Sequence, residues 1–277
     1  MTFQPVIPVG GFAGWSFLNR TREVQQEAFD NSSRISRDVE YFKEKIGKVL
    51  SAEDLISDRR LLRVALGAFG LDEDIGNKYY LRKVLDDGTL NDDALANRLS
   101  DKRYYSFSKA FGFGDFDTPR TVLSDFPSEI TDAFKRKQFE IAVGERDPNM
   151  RLALGLDSAL LEIAEKDTTE NGRWFTVMGQ GPVRAVFETA LGLPTAVGAL
   201  DLDQQLTIFR DRALSRFGNG EVAQFTDSAK REELVRLFLV QAELRTVSAS
   251  HSAGTAALTL LQSRSVTSVV GLYASFG

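Results

Sequence analysis

Apolar residues along most of this chain recur at three- and four-residue intervals, which is the spacing of one face of an α-helix. The longest such stretches cover residues 21–50 and 129–143, where acidic and basic residues fill the remaining positions. Shorter stretches end at Gly, Asp or Pro residues that are typical of turns. The pattern predicts an all-α protein, built as an array of short helices and helical hairpins with two longer amphipathic helices.

A four-residue motif recurs in the chain: Ala, then Phe or Leu, then Gly, then Leu or Phe. Its copies occupy residues 68–71, 110–113, 153–156 and 190–193. In such a motif Gly takes the left-handed conformation beyond the last helical turn, and the next apolar residue folds back onto the helix. The recurrence favours successive helical hairpins with two similar halves. The alternative is an irregular helical domain; the third copy is weak because residues 151–165 also fit one uninterrupted helix.

Composition divides the chain into four segments. Residues 1–19 are rich in Pro, Gly and aromatic residues, which predicts an extended arm that packs on its own body or on a partner. Residues 20–113 and 120–245 are predicted to form two helical subdomains. Residues 246–277 are rich in Ser, Thr, Ala, Leu and Val and contain no acidic residue. This last segment is predicted to be a final docked helix or a tail that orders on a partner.

The overall composition is that of a globular protein. Hydrophobic residues make up 43% and charged residues 26% of the 277 positions, and there is no Cys, so disulfides and thiolate chemistry are excluded. No stretch approaches 18 consecutive apolar residues, and the N-terminus lacks the features of a cleaved secretory signal. We therefore expect no membrane-spanning segment, and a protein that is cytoplasmic or exported without a cleaved signal peptide.

The charge balance argues against a nucleic-acid partner. The formal net charge is -5 and the isoelectric point is about 5.2, whereas proteins that hold a phosphate backbone concentrate positive charge. The tight basic run at residues 135–137 lies within a predicted amphipathic helix. It is best interpreted as part of a solvated helix face.

Residues that could carry catalysis or bind a cofactor are sparse. The single histidine, His251, lies in the polar approach to the C-terminal segment, which supports neither a Ser-His-Asp arrangement nor a His-rich metal site. The pair Gly47 and Lys48 lacks the earlier glycine of a phosphate-binding loop, and the dinucleotide-like glycines at 179 and 181 lack the third. We therefore predict no catalytic, cofactor-binding or metal-binding residue, and no enzymatic activity.

Several residues are candidates for contact with a protein partner. The aromatic residues of the N-terminal arm, the apolar residues of the C-terminal segment and two arginines in the polar run 57–60 could each serve. The candidates are Phe12, Trp15, Phe17, Arg59, Arg60, Leu260 and Val269. The competing interpretation of the polar run is a helix start, in which Asp58 is the cap and the arginines pair with acidic residues of neighbouring helices.

Several runs resemble a known family. Residues 51–71 (SAEDLISDRRLLRVALGAFGL) are similar to the signature of the domain-of-unknown-function 1217 family, and so are residues 94–99 and 101–104. The second half is similar through residues 150–154 and 190–194. The resemblance covers most of residues 14–245. It implies an all-helical protein of a family whose genes often lie within flagellar clusters of alphaproteobacteria, and it implies no catalytic residue.

These observations lead to three hypotheses about function. The first is a non-enzymatic interaction or assembly protein of the bacterial flagellar system, with a flagellar component as its partner. The second is a cytoplasmic chaperone or adaptor for a helical partner protein. The third is an enzyme that uses scattered carboxylates or arginines, for which a polar pocket would be needed. The oligomeric state and the partner's identity stay open.

Overall fold

A computed structural model describes residues 3–246 of the chain, and this part is built from α-helices without a β-strand. The helices are α1 (Gly11–Asp30), α2 (Ser33–Lys45), α3 (Ala52–Ser57), α4 (Arg59–Phe69), α5 (Lys78–Asp87), α6 (Leu95–Arg98), α7 (Arg103–Phe111), α8 (Phe126–Gly144), α9 (Pro148–Glu165), α10 (Glu170–Gly179), α11 (Gly181–Ala190), α12 (Leu202–Phe217) and α13 (228–246). The prediction of an all-α fold made of many short helices is therefore confirmed.

Three of the four motif glycines end a helix as predicted. Gly70, Gly112 and Gly192 have φ angles of 68°, 68° and 65°, in the left-handed region that only Gly enters without strain. After α4, the backbone N–H of Leu71 donates to the carbonyl oxygen of Leu66 at 3.0 Å. Such a bond satisfies a carbonyl group that the helix end leaves open.

The fourth motif glycine behaves differently. Gly155 lies inside α9, and its φ angle is not positive. The interpretation of residues 151–165 as one continuous helix is confirmed. The Ala-Gly motif by itself therefore does not specify a helix end, since a polar residue follows the third copy (Asp157) just as one follows the first (Asp72).

One type of helix connection recurs. Left-handed glycines at 70, 112, 192 and 218 are each followed within ten residues by a 3-10 turn that leads into the next helix. These turns are Asp72–Gly76, Arg120–Val122, Thr195–Ala199 and Val222–Thr226. The connection redirects the chain in a short length, which is why so many short helices can be packed together.

The described chain forms two compact units. The first contains residues 3–158 and 176–181, and the second contains residues 159–175 and 182–246. The loop at 114–119, where the sequence predicted a boundary between subdomains, lies inside the first unit.

The core of the first unit is centred on α4, which packs against α8 and also contacts α2 and α7. Gly67 of α4 faces the ring of Phe134, and a Cβ atom at this position would lie 2.7 Å from that ring. The close approach of α4 and α8 therefore requires glycine at position 67. Phe111 and Phe126 meet edge to face nearby, with ring centroids 5.1 Å apart.

The core of the second unit is built around Trp174, which is fully buried. Its ring meets Phe187 and Phe209 with centroid distances of 5.5 and 6.0 Å. The indole Nε1 donates to the backbone oxygen of Gly220 at 3.0 Å. This bond satisfies the one polar atom of the side chain, so the indole is buried without an unsatisfied hydrogen-bond donor.

The predicted N-terminal arm is too long. Within the described part of this segment, residues 3–10 are non-helical, whereas α1 begins at Gly11 and includes the aromatic residues at 12, 15 and 17. The short arm is fixed to α1: the Gln25 amide accepts from the Val6 backbone N–H at 2.7 Å and donates to the Val6 oxygen at 3.1 Å. A Cβ atom on Gly14 would lie 1.9 Å from the carbonyl oxygen of Val9, so this contact requires glycine.

The single helix predicted over residues 21–50 is wrong. The structure divides this region into α1 and α2, with a turn at Asn31 and Ser32. Asn and Ser side chains compete for backbone hydrogen bonds and weaken a helix interior. The apolar periodicity continues across the turn because both helices bury a face, which is why periodicity did not reveal the break.

Candidate functional site

The predicted aromatic contacts of the N-terminal region belong mainly to the protein's own packing. Trp15 is 6% exposed, and Phe12 and Phe17 are half-buried on α1. Leu260 and Val269 lie outside the described residues.

The two predicted arginine contacts have different environments. Arg59 is exposed and makes no ion pair with another described residue. Arg60 is half-buried: its Nε donates to the Asp38 carboxylate at 2.9 Å, and its guanidinium lies 4.5 Å from the centre of the Tyr41 ring. Asp38 is buried and also lies 3.6 Å from Nη1 of Arg63. Arg60 therefore ties α4 to α2, in agreement with the helix-start interpretation.

Asp58 is the cap of α4, as predicted. Its carboxylate accepts hydrogen bonds from the backbone N–H groups of Arg60 at 2.9 Å and Leu61 at 3.0 Å, and from the Tyr41 hydroxyl at 2.7 Å. Burial opposes ionisation of Asp58, but these hydrogen bonds outweigh it and lower the pKa of its carboxyl. The bond to Asp58 raises the pKa of Tyr41. This cluster therefore fixes the start of α4 against α2.

A second polar cluster joins the end of α4 to the start of α7. The Tyr104 hydroxyl donates to the Asp74 carboxylate at 2.6 Å, and Arg103 donates to the backbone oxygen of Gly70 while pairing with Asp101. Burial and the neighbouring Asp74 raise the pKa of Tyr104. These contacts hold the glycine stop of α4 in place.

The first unit exposes large apolar side chains on its arm and helices (Val6, Val9, Val24 and Tyr79) and on three of its loops. We call the group on the loops the loop patch. Its members are Leu50, Leu90, Phe116, Val122 and Leu123, which are 60%, 72%, 53%, 44% and 46% exposed. A single exposed leucine is normal, whereas a cluster of exposed large apolar residues marks an interaction surface.

Backbone contacts bring the loops of the patch together. The Asp115 carboxylate accepts from the backbone N–H of Leu90 at 3.0 Å and from the Thr89 hydroxyl at 2.8 Å. The loop after α5 is thereby fixed beside residue 116. The hydroxyl of Thr121 donates to the backbone oxygen of Val49 at 2.7 Å, which places residue 50 beside residue 122.

A close contact at Gly112 positions Phe116 and the turn that follows. A Cβ atom at Gly112 would lie 2.9 Å from the Phe116 ring and 3.6 Å from the Cγ of Arg120. The left-handed Gly112 at the end of α7 thus packs directly against the Phe116 ring. The loop patch is therefore held by specific contacts, although its side chains face solvent.

The surroundings of the loop patch are acidic. Residues 86–93 and 115–125 contain one basic residue, Arg120, and seven aspartates. The aspartates are Asp86, Asp87, Asp92, Asp93, Asp115, Asp117 and Asp125. These two segments carry a formal charge of -6, and the third loop of the patch, residues 46–51, adds the basic residue Lys48. The three segments together carry -5, which equals the charge of the whole chain, so negative charge is concentrated here.

The patch was missed at the sequence level although a signal was present. Phe116 stands between two aspartates in a loop, and Leu90 precedes an Asn-Asp-Asp run. An apolar residue isolated among turn residues has no helix face to join, and is thus a candidate for exposure.

Three other features of the described chain concern metal binding, membrane insertion and a surface groove. Within residues 3–246, no group of three or more His, Asp or Glu side chains is placed to hold a metal ion. No helix in that range combines the length and apolarity needed to cross a bilayer. A shallow groove in the second unit lies between α12 and residues 219–221. Its Arg210 donates to the Asn171 side chain at 3.0 Å, which joins α12 to α10.

The fold and the patch define a helical protein with an exposed apolar surface on its first unit. The family described as "Protein of unknown function (DUF1217)" matches residues 68–230, so the chain belongs to this family. Among solved structures, it is similar to the X-ray structure of protein AGR_C_984 from Agrobacterium tumefaciens. The TM-score is 0.69 and the identity 24%, over 87% of this chain and 99% of that chain, so the likeness concerns the fold. No curated protein matches the sequence.

Proposed function

We propose that the protein is a non-enzymatic interaction or assembly protein that binds a protein partner through the loop patch, in association with the bacterial flagellar system. The observation that carries the binding role is the exposure of five large apolar side chains on loops that are fixed by hydrogen bonds. Burying such side chains in a complex releases about 25 cal/mol for each Å² removed from water. The flagellar setting rests on the family resemblance.

Function in the host tests both parts of the proposal. The gene is deleted in a flagellated alphaproteobacterial host, and the strain is complemented with the wild type or with a patch variant (Leu50→Ser, Leu90→Ser, Leu123→Ser). A matched control makes the same Leu→Ser change at three exposed leucines of the second unit. These are Leu200, Leu202 and Leu214, which are 40%, 55% and 54% exposed. Swimming in soft agar and filament number are measured at equal protein levels.

We expect the wild type and the control variant to restore swimming and filaments, and the patch variant to fail. A deletion strain that swims and assembles filaments like its parent would contradict the flagellar role. A defective deletion strain that the patch variant restores fully would contradict the role of the patch. Recovery of the protein solely from cytosol, with no association with flagellar structures, would favour the chaperone or adaptor hypothesis.

A further inference from the structure

The geometry points to one class of occupant for the loop patch: we propose that it docks the apolar face of a basic amphipathic helix of a partner protein. This inference rests on the proposed function and adds the partner's chemistry to it. Its basis is the pairing of an exposed apolar surface with an excess of carboxylates around it. An amphipathic helix with Lys or Arg beside its apolar stripe presents the complementary pattern.

Structural duties account for part of the acidic excess. The Asp115 carboxylate accepts hydrogen bonds from the backbone N–H groups of Thr89 and Leu90. Asp87 accepts from the backbone N–H of Leu95 at 3.3 Å, at the start of α6, and pairs with Lys83 at 3.0 Å. Asp86 lies 3.3 Å from Arg82 on the same helix. These three aspartates are explained by the fold.

Four aspartates remain and form what we call the acidic rim: Asp92, Asp93, Asp117 and Asp125. All four are exposed, and their carboxylates form no ion pair or hydrogen bond with another described residue. Acidic residues before a helix often act as caps, but α6 and α8 have no side-chain cap hydrogen bond. The rim therefore adds negative charge beside the patch that no hydrogen bond or ion pair in the described chain uses, although Asp125 also lies at the N-terminus of α8.

The charge of the rim distinguishes between possible occupants. A second copy bound through the same patch would bring two acidic rims together, because a two-fold interface places equal surfaces opposite each other, and like charges disfavour the contact. Nucleic acid and anionic lipid surfaces are repelled for the same reason. A basic partner helix gains from the attraction, and its apolar face covers the leucines.

Binding of designed peptides to the full-length protein tests the inference. The probe is a labelled helical peptide of about 18 residues, or five turns, with Leu on one face and Lys on the other. A matched peptide carries Glu in place of Lys. Fluorescence anisotropy measures the affinity of each peptide for the wild type, for the Leu→Ser patch variant and for the matched leucine control.

Two further variants separate the local charge from the net charge. The rim variant carries Asp92→Asn, Asp93→Asn, Asp117→Asn and Asp125→Asn. The charge control carries Glu→Gln at four exposed positions elsewhere: 23, 145, 232 and 243. Both variants change the formal net charge from -5 to -1, so a difference between them reports the position of the charges.

We expect the Lys peptide to bind the wild type, the leucine control and the charge control alike. Binding should weaken at least about tenfold in the rim variant at low salt, since four small attractions are lost together, and should be lost in the patch variant. Affinity should also fall as sodium chloride is raised from about 50 to about 500 mM, because the Debye length shortens.

The contrary outcomes separate this inference from the proposed function. If both peptides bind equally well and only the leucines matter, the patch docks proteins but the inferred basic partner is wrong. If the Lys peptide binds the patch variant as tightly as the wild type, docking through the leucines is itself contradicted. If the wild type dimerises and the patch variant does not, the occupant is a second copy. If the Lys peptide binds only after the substitutions Leu260→Ser and Val269→Ser, the chain's own C-terminal segment occupies the patch in the wild type. Either of the last two results overturns the inference.

Discussion

At two copies of the recurring Ala-Gly motif, replacing Gly by Ala is predicted to change the free energy of unfolding in opposite directions. Gly70 ends α4 with φ at 68°, and the nearest atom to a Cβ placed there is the Arg103 guanidinium nitrogen at 3.7 Å. Gly155 lies inside α9, where a Cβ would meet the Glu140 carboxylate oxygen at 3.5 Å. Neither site is closed to a methyl group, so backbone conformation decides the effect of Ala.

The magnitudes follow from the two conformations. At Gly70, Ala costs about 1–2 kcal/mol for the left-handed conformation, and roughly 0.4–1 kcal/mol is offset by the reduced entropy of the unfolded chain. The expected net loss is therefore about 1 kcal/mol. At Gly155, Ala in a helix interior is favoured over Gly by roughly 0.8–1 kcal/mol. The two substitutions should differ by about 2 kcal/mol.

Thermal unfolding followed by circular dichroism at 222 nm measures the difference, and both sites lie in the first unit. About 2 kcal/mol corresponds to roughly 4–8 °C in Tm for a chain of this size, with Gly155→Ala above the wild type and Gly70→Ala below it. Gly70→Asn is the control, because Asn tolerates the left-handed region and should lose less than Ala. Equal and same-signed shifts for the two Ala variants would refute the reasoning.

Three further predictions concern the polar contacts and the second core. Arg60→Met leaves the buried Asp38 carboxylate with a weaker partner and should lower the free energy of unfolding by about 1–3 kcal/mol, as measured in urea. The raised pKa of Tyr104 favours the folded state below pH about 10; stability should fall as the pH rises above that value, and Tyr104→Phe should reduce the fall measured between pH 9 and pH 11. Trp174→Phe removes the bond to Gly220 and part of the second core, which should cost about 1–3 kcal/mol and lower Tm; retention of the wild-type Tm would contradict this.

Local rules accounted for much of the fold. The three-residue spacing of Ser51 and Asp54 is that of a capping box, and both of its reciprocal hydrogen bonds are present at the start of α3. Glycine stops at 70, 112 and 192 were predicted because their chemistry is contained within a few residues. The N-terminal arm was misjudged because α1 is stabilised by contacts such as the packing of Trp15, which composition does not reveal.

The loop patch could not be predicted in the same way. Its members lie on three loops that are joined by contacts between residues 25 to 72 positions apart, and no periodicity in sequence links them. Conversely, Arg60 looked available for a partner in the sequence, but tertiary folding brings it to Asp38 and Tyr41. Exposure depends on which loops meet, so it follows from the tertiary structure.

Photo-crosslinking in living cells tests the central claim most directly. A photoreactive amino acid is placed at Leu90 in the loop patch or at Leu202 in the second unit; the two leucines are 72% and 55% exposed. We predict that illumination of a flagellated host crosslinks the residue at position 90 to one discrete protein partner, and that the residue at position 202 does not crosslink to that partner. The absence of a crosslinked protein from the Leu90 position, or the same products from both positions, would contradict the account.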